Sequence, residues 1–358
     1  MAFAPDGEVR FGGRNRTAEE AARGTISHVW EDRMTTIKLL AGLATGAILT
    51  ASTALAQGYP DRQITMVVPF AAGGPTDTVG RLIAERMSAD LGQQIIVENV
   101  GGAGGTLGAG QVAGAEADGY TILLHHIGMA TSATLYRSLP YNPQEAFDYV
   151  GLVTEVPMTI VARKDFEPAD FASLVTYVKE NADTITMANA GIGAASHLCG
   201  MLFMQAVEAP IVTVPYKGTG PAMTELLGGQ IDIMCDQTTN TAEQIKGGTI
   251  KGYAVTTPAR LDIFPDLPTV AEGGFPDMEV SVWHGLYAPK GTPPEALARL
   301  TQSLQSALAD PGIAAKLAEL GTAPSPATDA TPEALKAKLD AEIARWKPVI
   351  EAAGVYAD

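Results

Sequence analysis

At 358 residues, with 46% hydrophobic and 18% charged side chains, the chain has the makeup of a globular protein and room for two domains or one large one, which excludes a disordered or fibrous polymer. Its formal net charge of −16, with no Lys/Arg-rich run, excludes nucleic acid as a partner, because phosphate contacts need clustered cations. The same charge argues against docking on anionic lipid.

Residues 1–33 are polar, mixed in charge and without a packing period, and read as an extension ahead of the true start. From Met34 the pattern changes. Lys38 precedes an apolar run from Leu39 to Leu49, and Ala54-Leu55-Ala56 supplies the small residues of a cleavage site. The run is too short to span a bilayer comfortably. Residues 34–56 are therefore expected to be a signal peptide, cut after Ala56, and the protein to be exported. Six basic and six acidic residues in 1–56 cancel, so the mature charge stays at −16.

In chain order, strand-like runs at 64–69, 94–98, 121–125, 149–153, 159–162, 184–188, 211–214, 231–234, 252–256 and 281–288 alternate with helical patterns. The helices are expected at 76–91, 107–115, 169–181, 196–206, 221–227, 239–247, 294–309, 311–320 and 332–353. This alternation predicts an α/β fold with parallel strands. Cys199 falls on a helix and Cys235 at a strand end. An oxidising compartment would permit a bridge, but two separate buried thiols are the expectation, since cysteine commonly serves as a small buried hydrophobe.

The first junction is the most informative. The strand at 64–69 runs into Phe70-Ala71-Ala-Gly73-Gly74 and then a helix opened by Pro75-Thr76-Asp77. Proline suits the first helical position, Asp77 adds favourable charge in the first turn, and the bare glycines let a ligand approach backbone N–H groups. An anion site and an ordinary strand-to-helix connection both fit. The same logic recurs at Ala188-Asn189-Ala-Gly191-Ile-Gly-Ala-Ala-Ser196-His197, where Ser196 could cap the helix or reach a ligand. It recurs again at Val214-Pro-Tyr-Lys-Gly-Thr-Gly-Pro221, and the strand at 231–234 delivers Asp236 to its carboxyl end, where α/β sheets bind ligands.

Other chemistries fit poorly. Gly108-Ala-Gly110-Gln-Val-Ala113 has a dinucleotide-like spacing, but no acidic residue follows about twenty positions on to hold a ribose. No cofactor is expected. Ser196, His197 and Asp236 could be imagined as a triad, yet adjacent helical residues point about 100° apart, and no G-x-S-x-G elbow occurs. His125 and His126 should face opposite sides of a strand, and no histidine has metal-ligand spacing, so neither a catalytic nor a metal site is expected.

These landmarks in order resemble the Bug-type periplasmic solute receptors of tripartite tricarboxylate transporters: Val68-Pro-Phe-Ala-Ala-Gly-Gly-Pro-Thr-Asp77, Val97-Glu-Asn99 with Gly102-Ala-Gly-Gly105, Asp118-Gly-Tyr-Thr121, Leu139-Pro-Tyr141, Val214-Pro-Tyr-Lys-Gly218, Leu226-Leu-Gly-Gly-Gln230 and Pro268-Thr-Val-Ala-Glu272. The resemblance covers essentially the whole mature chain. It implies a two-lobed periplasmic-binding-protein fold, type II-like, each lobe a mostly parallel sheet flanked by helices. Lobe 1 would be 58–156 with 285–358, and lobe 2 would be 157–284. It also implies a monomer that captures a small organic carboxylate in the cleft and hands it to integral-membrane transporter subunits. Phe70, Ala71, Gly73, Gly74, Thr76 and Asp77 would form one wall, and Asn189, Gly191, Ser196 and His197 the other, with Asp236 at the distal end. The stretch His125-His-Ile-Gly-Met129 departs from the family's usual small residues before Asn-Pro, and Met129 and Met158 either widen the pocket or fill the core. The rival readings are a secreted hydrolase using Ser196 or Asp236, and an orphan receptor feeding a sensor. In the receptor reading the two wall loops hold no Lys or Arg, so backbone amides and hydroxyls must bind the anion.

Overall fold

The strand β1, Ile64–Val68, is an unbroken apolar run that ends where Pro69 removes an N–H from the ladder. It belongs to a computed structural model that describes residues 58–357; the expected extension 1–33 and signal peptide 34–56 lie outside the described residues. Helix α1, Pro75–Leu91, follows with proline in its first turn and stops at Gly92, whose φ of 71° is left-handed. Strand β1 pairs in parallel with β2, Ile95–Asn99, and with β3, Thr121–His126. Helix α2, Thr106–Ala113, makes the crossover between them. A second parallel trio joins β5, Thr186–Asn189, to β6, Val212–Pro215, and to β7, Ile233–Gln237.

Two long antiparallel strands connect the trios. Strand β4, Phe147–Arg163, is one element of 17 residues, where the sequence pattern suggested two short strands at 149–153 and 159–162. From Phe147 to Pro157 it pairs with β9, Ser281–Pro289; from Met158 to Arg163 it pairs with β7 and with β8, Ile250–Val255. Strand β9 in turn pairs antiparallel with β3 through His284–Tyr287. The parallel expectation therefore holds within each trio and fails at the crossing strands, which run against their neighbours. The full sheet order is β2-β1-β3-β9-β4-β7-β5-β6, with β8 also on β4.

Helices α4 (Phe171–Asn181), α5 (Ala195–Val207), α6 (Thr219–Leu227) and α7 (Thr238–Lys246) are interspersed with the strands of the second trio. After β9 come α8 (Pro294–Leu308), which packs on α1 and β4, α9 (Pro311–Glu319), and α10 (Pro332–Ala353), which packs on β4. Helix α3, Gly128–Leu135, was not expected. Met129, Ala130, Thr131, Ser132 and Leu135 are all buried, so the segment carries no polar face from which a helical period could be read. One apolar cluster packs Ile64, Met66 and Val68 against Val79, Ile83 and Met87 of α1 and Leu300 and Leu304 of α8. Cys199 of α5 and Cys235 of β7 form a disulfide across a Cα separation of 5.9 Å, correcting the expectation of two separate thiols. Both are fully buried, as expected, but their pairing depends on α5 lying over β7, which neither flank encodes. Closing a loop of 36 residues stabilises the fold by about 4 kcal/mol through lost unfolded-state entropy.

Candidate functional site

Four helices begin at one cavity. Pro75 and Thr76 open α1, Ala195 and Ser196 open α5, Thr219 opens α6, and Gln237 is the N-cap of α7; all six residues line it, together with Phe70, His126, Ala190 and Asp236. The cavity is narrow, about 10 Å³, room for no more than about one water molecule. None of the four helices has a side-chain cap. Their first-turn N–H groups, which have no intrahelical carbonyl to bond, point with the positive end of each helix dipole at this space. No Lys or Arg lines it. The arrangement suits an anion held by backbone amides.

Hydroxyls add to the amides. Ser196 Oγ accepts from the Ala190 amide at 2.8 Å, which leaves its own hydrogen to donate. Thr76 Oγ1 lies 3.3 Å from His284 Nε2. Behind Phe70 sits a cluster of buried imidazoles. The Phe70 ring stacks on His126 with centroids 4.4 Å apart and meets His125 edge-on at 5.7 Å. At the carboxyl end of β3 the two histidines thus share one aromatic neighbour, rather than facing apart as the strand period suggests. The Gly128 amide donates to His126 Nδ1 at 2.9 Å, so the neutral ring carries its hydrogen on Nε2. Burial holds His126 well below its ordinary pKa, aided by His125 and His284, and pushes both of those down to about 3. Among the described residues no group of three His, Cys, Asp or Glu side chains is placed to hold a metal ion.

Asp236, 1% exposed, is the one carboxylate on the wall. Burial pushes its pKa up to about 6, against hydrogen bonds that favour the charged form, among them Thr219 Oγ1 donating at 2.9 Å and Asn240 Nδ2 at 2.5 Å.

Residues 79–355 match the family model of TctC, the tripartite tricarboxylate transporter family receptor. The chain belongs to that family. It is 54% identical over 317 residues to a UPF0065 protein in the TAR-I ttuE-ttuC' intergenic region of Agrobacterium vitis, covering 88% of this chain and 92% of that one. Among solved structures it is similar to the periplasmic binding protein BugD, at 52% identity and a TM-score of 0.82 over 84% of this chain and all of that one. It is also similar to MatC from Rhodopseudomonas palustris with bound malate, at 39% identity and a TM-score of 0.79 over 82% and 100% of the two chains. Its fold is thus the α/β, two-lobed periplasmic-binding-protein fold expected from the sequence.

In this chain the residues expected at the site fall into four groups. Phe70, Thr76, Ser196 and Asp236 line the cavity. Asp77, Asn189 and His197 turn onto their own loops. Asp77 accepts from the Gly73 amide, Arg81 Nε and Asn99 Nδ2, each at 2.9 Å; burial opposes its charge, but these bonds and the Arg81 guanidinium hold its pKa below the usual carboxylate value. Asn189 Oδ1 accepts from the Gly191 amide at 2.8 Å, and His197 Nδ1 accepts from the Gly193 amide at 3.3 Å while burial lowers its pKa to about 4. Met129 is fully buried in the apolar core, away from the lining.

Ala71, Gly74 and Gly191 lie on a seam where backbone meets backbone. The Ala71 amide donates to the Lys217 carbonyl at 2.9 Å, a Cβ on Gly74 would lie 3.2 Å from the Gly220 amide nitrogen, and one on Gly191 would lie 2.8 Å from the Gly104 nitrogen. A Cβ on Gly104, whose φ is +63°, would collide with the Ile192 carbonyl oxygen. The glycine runs around 101–105 and 218–220 thus serve close approach of the two walls. Sequence reasoning passed over Pro75, His126, Ala190, Ala195, Thr219 and Gln237 as lining residues. Thr219 and Gln237 could have been found by asking which further helices start beside Asp236.

Proposed function

We propose that this chain is a periplasmic, non-enzymatic receptor that captures a small dicarboxylate between two lobes and delivers it to the membrane subunits of a tripartite tricarboxylate-type transporter. The observation that carries the reading is the meeting of four uncapped helix N-termini at one cavity without a cation. MatC, with malate bound, supports the ligand class. Export through a signal peptide at 34–56 accords with the apolar run read there.

Closure is taken to occur about two crossing segments, near Pro157 and His284. What supports this is the change of partner there: β4 leaves β9 after Pro157 and joins β7 and β8 from Met158, while β9 pairs with β3 from His284 onward. On this reading lobe 1 is 58–156 with 285–358 and lobe 2 is 157–284. One wall would offer the Thr76 and Asp77 amides and the other the Ala195 and Ser196 amides, so a carboxylate between them favours the closed state.

A hydrolase is disfavoured by the hydrogen bonds. Ser196 bonds Ala190, His197 bonds Gly193, and Asp236 bonds Thr219 and Asn240, so the three are not linked to one another. A thermal-shift screen over mono-, di- and tricarboxylates and aromatic acids tests the proposal. A dicarboxylate at about 100 times its Kd should stabilise the protein by about 2.7 kcal/mol and be recovered unchanged. Stabilisation by none of them, or conversion of one to product, would contradict the reading.

A further inference from the structure

We propose that the receptor takes up one proton with each dicarboxylate, lodged between Asp236 and a carboxylate of the ligand. The inference rests on the carboxylate-binding reading and deepens it. It begins with an imbalance of charge. Asp236 is on the cavity wall, 1% exposed, and no Lys or Arg shares that wall. Uncharged donors serve it: Thr219 at the start of α6 and Asn240 on α7 bond its two oxygens, and the Gln237 amide donates to it as well. From β4, Thr159 Oγ1 donates to its backbone carbonyl and not to its carboxylate. The titratable groups around the cavity are imidazoles. His126 lines it with His125 and His284 behind, and His197 follows Ser196 on α5; burial keeps all four neutral.

A dicarboxylate entering this space sets a second negative group beside the first in a nearly dry enclosure. Two carboxylates so placed cannot both stay ionised without a cation, and the stable arrangement shares one proton between them. The step is a simple association. A buffer acid gives up a proton, the Asp236 carboxylate gains it, and the new O–H donates to a ligand oxygen. The ligand has less to do than at an exposed carboxylate, because burial has already pushed the free carboxyl's pKa up to about 6. Asp236 so protonated becomes a donor facing the ligand, in keeping with a cleft built otherwise of amide and hydroxyl donors.

The sign of the pH effect follows. With Asp236 ionised when free and protonated when bound, affinity should rise about tenfold for each unit that pH falls from 8 toward the free-state pKa, and level off below it. The test is titration calorimetry with malate, succinate and adipate as probes, in buffers of different ionisation enthalpy at pH 7.5. The wild type should take up about one proton per bound probe. Asp236→Asn, which mimics the neutral acid, should take up none, lose the pH dependence and bind at pH 8 at least as tightly as the wild type; a merely structural role would weaken it. The wild-type proton count decides the matter even if the variant does not fold. Binding without proton uptake, or uptake that persists in Asp236→Asn, would overturn the proposal and leave the receptor reading intact. No binding of any probe would overturn the dicarboxylate reading and the proposal with it.

Discussion

Among the described residues, three helices begin at a side-chain cap and seven do not; of the uncapped ones, α2, α3 and α8 do not open on the cavity lining. Away from the cavity, α4 is capped by Asp170, which accepts from the Ser173 amide at 2.8 Å, α9 by Asp310 at 2.8 Å from the Gly312 nitrogen, and α10 by Thr331 at 3.2 Å from the Ala334 nitrogen. At the cavity, α1, α5, α6 and α7 start from Gly74, Ala194, Gly218 and Gln237, none of which caps through its side chain. A missing cap costs about 1 kcal/mol per helix. Four at one place start without a side-chain cap, and the disulfide at Cys199, one turn into α5, adds stability there.

Three experiments break or sharpen that comparison. The largest effect falls on the bridge: Cys199→Ser with Cys235→Ser should cost about 4 kcal/mol in urea unfolding, since α5 has no cap to fall back on. A cost below about 1 kcal/mol would mean that packing alone seats the helix. Next is the seam. A Cβ on Gly220 would lie 2.7 Å from the Ala72 carbonyl oxygen, so Gly220→Val should weaken ligand binding at least about 100-fold, roughly 3 kcal/mol, by holding the walls apart while the ligand-free melting point changes little. Undiminished affinity would show that the walls need not meet. Smallest is a pair of single changes. Asp170→Ala should cost about 1 kcal/mol of stability and leave affinity alone, whereas Ser196→Ala should cost affinity about tenfold. If both change stability alone, the two classes of helix start do not differ in function.

Two kinds of titrating group at the cavity respond oppositely to pH. The buried histidines have folded-state pKa values below the ordinary 6.5, so the unfolded chain binds more protons and stability falls as pH drops below that value. His125 and His284 should each cost about 2 kcal/mol at pH 5 relative to pH 7. Asp236 works the other way, losing stability as pH rises through about 6. With four imidazoles against one carboxyl, urea midpoints should be lower at pH 5 than at pH 7; the reverse order would mean that the imidazoles are solvated.

What the sequence made legible was local. The run from Ile64 into Gly73-Gly74-Pro75 announced a strand, a turn and a helix, because apolar content, bare glycine and proline each act on their own few residues. Ser196 and Asp236 were found the same way, one at a helix start and one at a strand's carboxyl end. What stayed hidden was tertiary. Thr219 and His126 meet Asp236 and Phe70 only because β4 and β9 cross between the two trios, and no local pattern encodes that crossing. Asp77 looked like charge placed for the helix dipole, but its carboxylate folds back on Gly73, Arg81 and Asn99 and fixes the loop shape. Helix α3 hid because most of it is buried, Thr131 and Ser132 included, so no apolar stripe stands out against a polar face.

The central claim is that backbone amides, not basic side chains, grip the ligand. A crystal structure with the tightest-binding acid from the panel tests it most directly. One carboxylate should lie within about 3.2 Å of the Thr76, Ala195 and Ser196 amide nitrogens. A carboxylate paired with Lys217 or any arginine, or seated outside the four helix starts, would contradict it.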